Sequence, residues 1–167
     1  MSRLRSILFF ILVFLLQLAI SNYLNLGPWI TISLIPFLIV QIPLQRSPHV
    51  VMLAAFGLGL LLDWLSAGVL GLNAFAAVMA AAPRRLLYRL LINDEQDSTW
   101  IPLIRTVGIG KYHKYLFILT AIYLAAFILL DCMSFRPFWF ILVKFVASTL
   151  ASSLLGLLLA FAFQRRS

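Results

Sequence analysis

The sequence predicts an all-α, polytopic membrane protein in which six transmembrane helices form a single domain over residues 1–167. Hydrophobic residues make up 63% of the chain and charged residues only 11%, with a mean hydropathy of +1.06, whereas a soluble domain carries about a quarter charged residues. The apolar residues fall into six long runs, and a helix needs about 20 apolar residues to cross a bilayer. Lysines and arginines concentrate between alternate runs, as the positive-inside rule requires.

The predicted spans follow one another along the chain with short connections at the start. They cover residues 6–24, 29–44, 49–65, 68–90, 113–131 and 137–163. Residues 25–28 and 45–48 combine polar side chains with glycine or proline, a composition that favours turns. Pro36 and Pro43 interrupt the hydrogen-bond ladder of the second span, so we expect a kink there.

With six spans, nearly all basic residues lie on one side of the membrane. That side carries Arg3, Arg5, Arg46, Arg84, Arg85, Arg89, Arg105, Lys111, Lys114, Arg165 and Arg166. The other side carries Arg136, with Asp63 and Asp131 at the ends of spans. The positive-inside rule therefore predicts that both termini are cytoplasmic. An odd number of spans would spread the basic residues over both sides.

The connection between the third and fourth spans combines one acid with several glycines. Asp63 ends the third span, and Gly57, Gly59, Gly68 and Gly71 lie on both sides of it. An ionisable group at the edge of a membrane span is costly and needs a stabilising partner. Glycines allow two backbones to approach closely in lipid. The pattern predicts two helices that meet closely around a tight turn.

Apart from the basic cytoplasmic ends of the spans and Asp131 at an outer end, the predicted spans carry two charged side chains, Asp63 and Lys144. An ion pair between them would reduce the cost of burying both. Three alternatives stay open. Lys144 can extend outward to the membrane surface, Asp63 can cap the backbone of its own turn, and Asp131 can pair with Lys144 instead.

Small residues recur at three- or four-residue spacing on three spans, which permits close helix packing in lipid. The spacing favours packing within one chain over an oligomer interface. The residues are Ser148, Ser152, Gly156 and Ala160 on the last span, Gly71, Ala74, Ala77 and Ala81 on the fourth, and Ala55 and Gly59 on the third.

The only long connection, residues 84–114, is basic at its start and lies on the cytoplasmic side. Arg84, Arg85 and Arg89 alternate with leucines there, so the predicted helix has a basic face and an apolar face. We expect these arginines to contact lipid headgroups or the cytoplasm, and anionic lipid is favoured over a dedicated protein partner.

No residue pattern predicts a catalytic, cofactor or metal site. His49 and His113 lie at the cytoplasmic ends of spans, away from Asp63 and Asp131, so no buried nucleophile–histidine–acid set forms. Metal-ligand spacing and a phosphate-binding glycine loop are both missing from the sequence. The net charge of +8 is explained by topology and does not predict nucleic-acid binding.

The glycine–aspartate stretch resembles the rod shape-determining MreD family of bacterial inner-membrane proteins. The matching pattern is Gly57-x-Gly59-x-x-x-Asp63-x-x-x-x-Gly68-x-x-Gly71-x-x-Ala74. Pro36 in the second span and Lys144 four residues before Ser148 in the last span are also similar to that family. Asn73 stands where many family members have histidine.

The resemblance implies a non-enzymatic scaffold of the cell-elongation complex in the bacterial inner membrane. Its implied fold is similar to that of the substrate-binding subunits of energy-coupling-factor transporters. Its implied partners are MreC, which contributes a transmembrane helix, and through it MreB filaments, RodA and the penicillin-binding transpeptidase partner of RodA. Close packing would dominate such helix docking, and we expect Asp63 and the Gly68 and Gly71 turn near the outer end of the interface.

The alternative function is that of a substrate-binding subunit of an energy-coupling-factor transporter, which shares the implied fold. This function requires an outward-opening pocket lined by convergent polar groups. Asp63, Asn73, Trp64 and Trp139 could supply some of them. Copurification with a coupling ATPase would indicate transport, and copurification with a single-span coiled-coil protein would indicate a scaffold.

Overall fold

A computed structural model describes residues 3–23, 29–66, 69–92, 102–131 and 137–165 of the chain, with side chains described between positions 7 and 162 of these ranges. All regular structure in this part of the chain is helical, as the sequence predicted. The helices are α1 (Arg3–Tyr23), α2 (Ile35–Val40), α3 (Pro48–Leu65), α4 (Leu72–Ala81), α5 (Arg84–Ile92), α6 (Ile104–Val107), α7 (Ile109–Asp131) and α8 (Phe138–Arg165).

Three of the described helices, α3, α7 and α8, are long and apolar enough to cross a membrane. They coincide with the spans predicted at 49–65, 113–131 and 137–163, although α7 begins four residues earlier. The apolar parts of α1, Ile7–Tyr23, and of α4 are shorter. The chain is therefore a helical membrane protein, while six separate spanning helices are not established by these lengths.

The segment predicted as the second span, 29–44, is not one helix. Only Ile35–Val40 is helical, and the preceding residues 31–34 have no regular structure. The predicted kink at Pro36 is wrong because Pro36 lies in the first turn of α2, where a missing N–H costs nothing. Pro43 follows the helix and cannot continue its ladder.

The segment predicted as the fourth span is also interrupted. α4 ends after ten residues at Ala81, and Ala82 and Pro83 form a turn before α5. Pro83 has no N–H to donate to the ladder of α4, and its carbonyl instead accepts from the Leu87 N–H of α5 at 2.9 Å. The sequence analysis missed this break. Gly68, the predicted start of the span, lies outside the described residues.

Contacts between helices show which turns of neighbouring helices lie side by side and therefore in which direction each helix runs. The side chains of Asn73 and Tyr123 join the start of α4 to the middle of α7. The Tyr115 hydroxyl, on an earlier turn of α7, donates to the backbone carbonyl of Arg84 at the start of α5. α4 therefore runs antiparallel to α7. α7 and α8 are also antiparallel, because Asp131 meets Lys144 while Leu116 contacts the Gly156 position.

This arrangement separates two ends of the bundle. The basic end carries exposed cationic side chains at Arg46, Arg85, Arg89, Arg105, Lys111 and Lys114. The aromatic end carries exposed aromatic side chains at Tyr23, Trp29, Trp64, Phe138 and Trp139. Tryptophan and tyrosine prefer the membrane–water interface, so the exposed aromatic rings mark one boundary of the membrane-embedded region.

Candidate functional site

The carboxylate of Asp63 lies at the contact between α3 and α4 and is only 1% exposed. Its Oδ2 accepts hydrogen bonds from the N–H groups of Gly71 at 2.9 Å and Ala74 at 3.3 Å. Its Oδ1 accepts from the N–H of Asn73 at 3.1 Å and from the Asn73 side-chain amide at 2.7 Å. Asp63 therefore caps the N-terminus of the neighbouring helix α4, where unpaired N–H groups and the helix dipole favour an anion.

The flanking glycines have different roles. A Cβ added at Gly59 would lie 2.5 Å from the Cα of Ala74 and 2.6 Å from the carbonyl oxygen of Asn73, so α3 and α4 are in backbone contact there. Gly71 precedes α4 with a φ of +95°, a conformation that strongly favours glycine. A Cβ at Gly57 would meet nothing within 4 Å, so the predicted close packing at Gly57 is wrong.

Asn73 connects this contact to α7. The buried hydroxyl of Tyr123 donates to Oδ1 of Asn73, and the amide of Asn73 donates to Asp63. Three helices are thus joined by consecutive side-chain hydrogen bonds, and we call this set (Asp63, Asn73 and Tyr123, with Gly59 and Gly71) the junction. The sequence indicated Asn73 as a candidate polar group, but neither its bridging role nor the part of Tyr123 was predicted.

Lys144 pairs with Asp131 and not with Asp63. Its Nζ lies 2.6 Å from Oδ2 of Asp131, and the Lys144 side chain is 9% exposed while that of Asp131 is 40% exposed. Asp63 is level with Tyr123 of α7, about two helical turns from Asp131. The proposed Asp63–Lys144 ion pair is therefore wrong, and two of the alternatives hold: backbone capping by Asp63 and pairing of Lys144 with Asp131.

Side chains of α1 and α8 accept hydrogen bonds from the backbone N–H groups of the irregular segment before α2. The Thr31 N–H donates to Oγ of Ser148 at 2.8 Å, and the Ser33 N–H donates to Oγ of Ser152 at 3.0 Å. The Leu34 N–H donates to Oε1 of Gln17 at 2.6 Å. Irregular backbone at membrane depth requires such internal partners. Ser148 and Ser152 were predicted as small packing residues, and Ser148 also as part of the family resemblance, but neither was predicted to accept a hydrogen bond. Gln17 was not predicted at all.

Arg84 holds the other end of α2. Its guanidinium is buried and donates to the carbonyls of Ile39 at 2.7 Å, Ile42 at 2.7 Å and Pro43 at 2.9 Å. Burial lowers the pKa of Arg84, and the nearby Tyr115 partly offsets this effect, but an arginine remains protonated at neutral pH. The predicted lipid contact of Arg84 is therefore wrong.

The remaining small-residue positions pack inside the chain. A Cβ at Gly156 would lie 3.1 Å from Leu116 and 3.6 Å from Phe37, and Ala55 and Ala160 are fully buried. These contacts agree with the prediction of packing within one chain.

A groove of about 190 Å³ lies between α7 and α8 and is lined by apolar side chains, including Ile128, Phe138 and Phe145. It can accommodate an apolar group but brings no polar groups together. Among the described residues, no group of three His, Cys, Asp or Glu side chains could hold a metal ion.

The fold and the junction define a helical membrane protein in which the polar groups of the junction form internal, structural contacts. Comparisons with family models, with curated proteins and with solved structures find no match to the chain.

Proposed function

We propose that this chain is a non-enzymatic membrane scaffold of the bacterial cell-elongation complex, of the MreD type. One observation carries the proposal: residues of the resembling stretch meet at the junction. Gly59 contacts the start of α4, Gly71 begins it, and Asp63 caps it. All these groups are used inside the bundle, and a scaffold needs a fixed helix arrangement more than it needs free chemical groups.

The proposed location is the bacterial inner membrane, with the basic end in the cytoplasm. The exposed cations at that end follow the positive-inside rule. The proposed partners are MreC, which supplies a transmembrane helix, and beyond it MreB, RodA and the transpeptidase partner of RodA. The aromatic end would then face the outer surface, where a single-span partner helix emerges.

The partner surface must differ from the one that the sequence analysis expected. Asp63 is too deeply buried to contact a partner helix. Trp64 and Leu70 are 75% and 66% exposed. Trp64 lies in the last turn of α3, and Leu70 lies in the connection that leads to α4. Helices associate in lipid through close van der Waals contact, and we propose that Trp64 and Leu70 contact the partner helix.

The test is copurification of the tagged, full-length protein from its native membrane in mild detergent, with partners identified by mass spectrometry. We expect a single-span coiled-coil protein. A Trp64→Ala/Leu70→Ala variant should reduce its recovery several-fold, while Leu53→Ala, which changes a residue that is 71% exposed elsewhere on α3, should not. Recovery of an energy-coupling ATPase in place of the coiled-coil protein would contradict the scaffold function.

One observation favours the transporter-subunit alternative. Transporters place irregular, broken helical segments near the membrane midplane at their binding sites, and residues 31–34 form such a segment. The N–H groups of Thr31, Ser33 and Leu34 are already bonded to protein side chains, so this segment serves the fold. The same copurification experiment separates the two functions.

A further inference from the structure

One row of residues along α5 packs against the other helices, and the neighbouring rows are exposed. Arg84, Tyr88 and Ile92 are buried against the bundle. Arg85 and Arg89, each one position further along the helix, are exposed. Residues four apart lie on the same face of a helix, so Arg85 and Arg89 form one outward-facing cationic stripe.

The next stripe of α5 is apolar and also exposed. Leu86 and Leu90 are 61% and 70% exposed, and they lie beside the cationic stripe formed by Arg85 and Arg89. A helix with adjacent leucine and arginine stripes is typical of the boundary between acyl chains and headgroups. In a membrane protein, the lipid bilayer can cover both stripes at once.

No described carboxylate neutralises this cationic stripe. Both acids among the described residues, Asp63 and Asp131, lie towards the aromatic end, and each has partners of its own. The basic end adds further exposed cations near α5. Lys111 is one of them, and its Nζ donates to the carbonyl of Ile92 at 3.3 Å.

We propose that α5 is a binding surface for anionic phospholipid. Arg85 and Arg89 bind the headgroup phosphates, because guanidinium groups form charge-assisted hydrogen bonds with phosphate oxygens. Leu86 and Leu90 contact the acyl chains below. The Arg84 guanidinium is bonded to carbonyls at the end of α2 and thereby holds α5 in place. The arginine stripe and the leucine stripe of α5 then face the lipid.

The test uses purified full-length protein in phosphatidylcholine vesicles that contain spin-labelled phosphatidylglycerol or spin-labelled phosphatidylcholine. Electron spin resonance reports the fraction of each lipid that is immobilised by the protein. We expect several-fold selectivity for phosphatidylglycerol at low salt. The Arg85→Gln/Arg89→Gln variant should lose most of this selectivity, since each charge near the surface contributes up to about fivefold in relative affinity, and Arg85→Lys/Arg89→Lys should retain most of it.

A matched control removes two charges elsewhere at the same end. Arg46→Gln/Lys114→Gln should leave the selectivity within about twofold of the wild-type value, since a local surface and not the overall field binds the lipid. Equal losses in the two glutamine variants would overturn the proposal, as would a wild-type protein without selectivity. Replacement of chloride by inorganic phosphate at equal ionic strength should change nothing, and displacement of the lipid by phosphate would also overturn it.

The acyl-chain contact has its own test. Leu86→Ser/Leu90→Ser should reduce the immobilised fraction of both lipid classes, and an unchanged fraction would overturn that part of the surface. These measurements contain no partner protein. A negative outcome therefore leaves the scaffold function to be decided by copurification.

Discussion

Asp63 and Arg84 flank α4 and stabilise opposite kinds of backbone group. The Asp63 carboxylate accepts hydrogen bonds from the N–H groups at the start of α4, whereas the Arg84 guanidinium donates to carbonyls at and beyond the end of α2. In both places a short helix ends inside the bundle, where its unpaired backbone groups cannot reach bulk water. The negative Asp63 side chain bonds to the unpaired N–H groups of one helix end, and the positive Arg84 side chain bonds to the unpaired carbonyls of the other.

The two sites differ in how strongly the rest of the fold constrains them. The Asp63 site also contains a backbone contact at Gly59 and an amide bridge through Asn73, so several residues share its stabilisation. Three carbonyls share the single Arg84 guanidinium, and two of them, those of Ile39 and Pro43, also accept longer bonds from backbone N–H groups at 3.3 Å. Loss of one side chain should therefore cost more at Arg84 than at Asp63, although only Asp63 lies in a recognisable sequence pattern.

The largest expected effect is that of Arg84→Leu. The substitution removes three charge-assisted hydrogen bonds and leaves the Ile42 carbonyl without its donor, and each hydrogen bond to a charged group contributes about 1.5–3 kcal/mol. Unfolding in detergent, followed by loss of helical circular dichroism, should reveal the loss. Arg85→Leu, which changes an exposed neighbour, should change the free energy of unfolding by less than about 0.5 kcal/mol. Equal effects of the two substitutions would remove the distinction between buried and exposed arginines.

Gly59→Ala should have the next largest effect. The new methyl group would overlap the backbone of Ala74, so α3 and α4 must move apart at a cost of about 2–3 kcal/mol. Gly57→Ala is the matched control, because the space around Gly57 is open and alanine is the better helix former by about 1 kcal/mol. We expect Gly57→Ala to be neutral or stabilising in the same unfolding assay. A destabilising effect as large as that of Gly59→Ala would contradict the assignment.

Asp63→Asn should cost about 2 kcal/mol. The variant keeps one acceptor oxygen but loses the negative charge and replaces the other acceptor with a donor, which faces N–H groups at the start of α4. Asp131→Asn should cost less, since the Asp131 side chain is 40% exposed and exposed ion pairs contribute about 1 kcal/mol or less. The free energies of unfolding of the two variants provide the comparison, and a reversed order would contradict it.

The smallest effect concerns the irregular segment. Ser152→Ala leaves the Ser33 N–H without its partner, and hydrogen bonds in membrane proteins contribute about 0.6 kcal/mol on average. Amide hydrogen exchange at Ser33 should increase by roughly threefold if opening follows this free energy. Ser153→Ala removes a hydroxyl that bonds only within its own helix, to the carbonyl of Leu150, and should leave the exchange at Ser33 unchanged. A similar increase in both variants would exclude a specific role for Ser152.

The long helices could be predicted because their apolar runs lack interior proline. α3, α7 and α8 lie where the hydropathy of the sequence indicated them. The second and fourth predicted spans failed because Pro36 and Pro83 set helix boundaries in segments that are otherwise equally apolar. Hydropathy measures the free energy of transferring side chains from water to lipid. It contains no information on where the hydrogen bonds of a helix stop.

The junction could be predicted only in part. One unusual acid among glycines indicated Asp63, Gly59 and Gly71, but the partners of Asp63 depend on relative helix heights that the sequence does not encode locally. Arg84 is one of three arginines within six residues, and only its position beside the end of α2 distinguishes it from Arg85 and Arg89. A buried role for it follows from tertiary structure alone.

The most direct test of the junction is a pair of double-mutant cycles on the free energy of unfolding. We expect Asp63→Asn and Lys144→Gln to be additive within about 0.5 kcal/mol, since the two side chains have separate partners. We expect Asp63→Asn and Asn73→Ala to be coupled by about 1 kcal/mol or more, because their side chains share a hydrogen bond. Strong coupling between Asp63 and Lys144, together with additivity between Asp63 and Asn73, would contradict the assignment of Asp63 as the cap of α4.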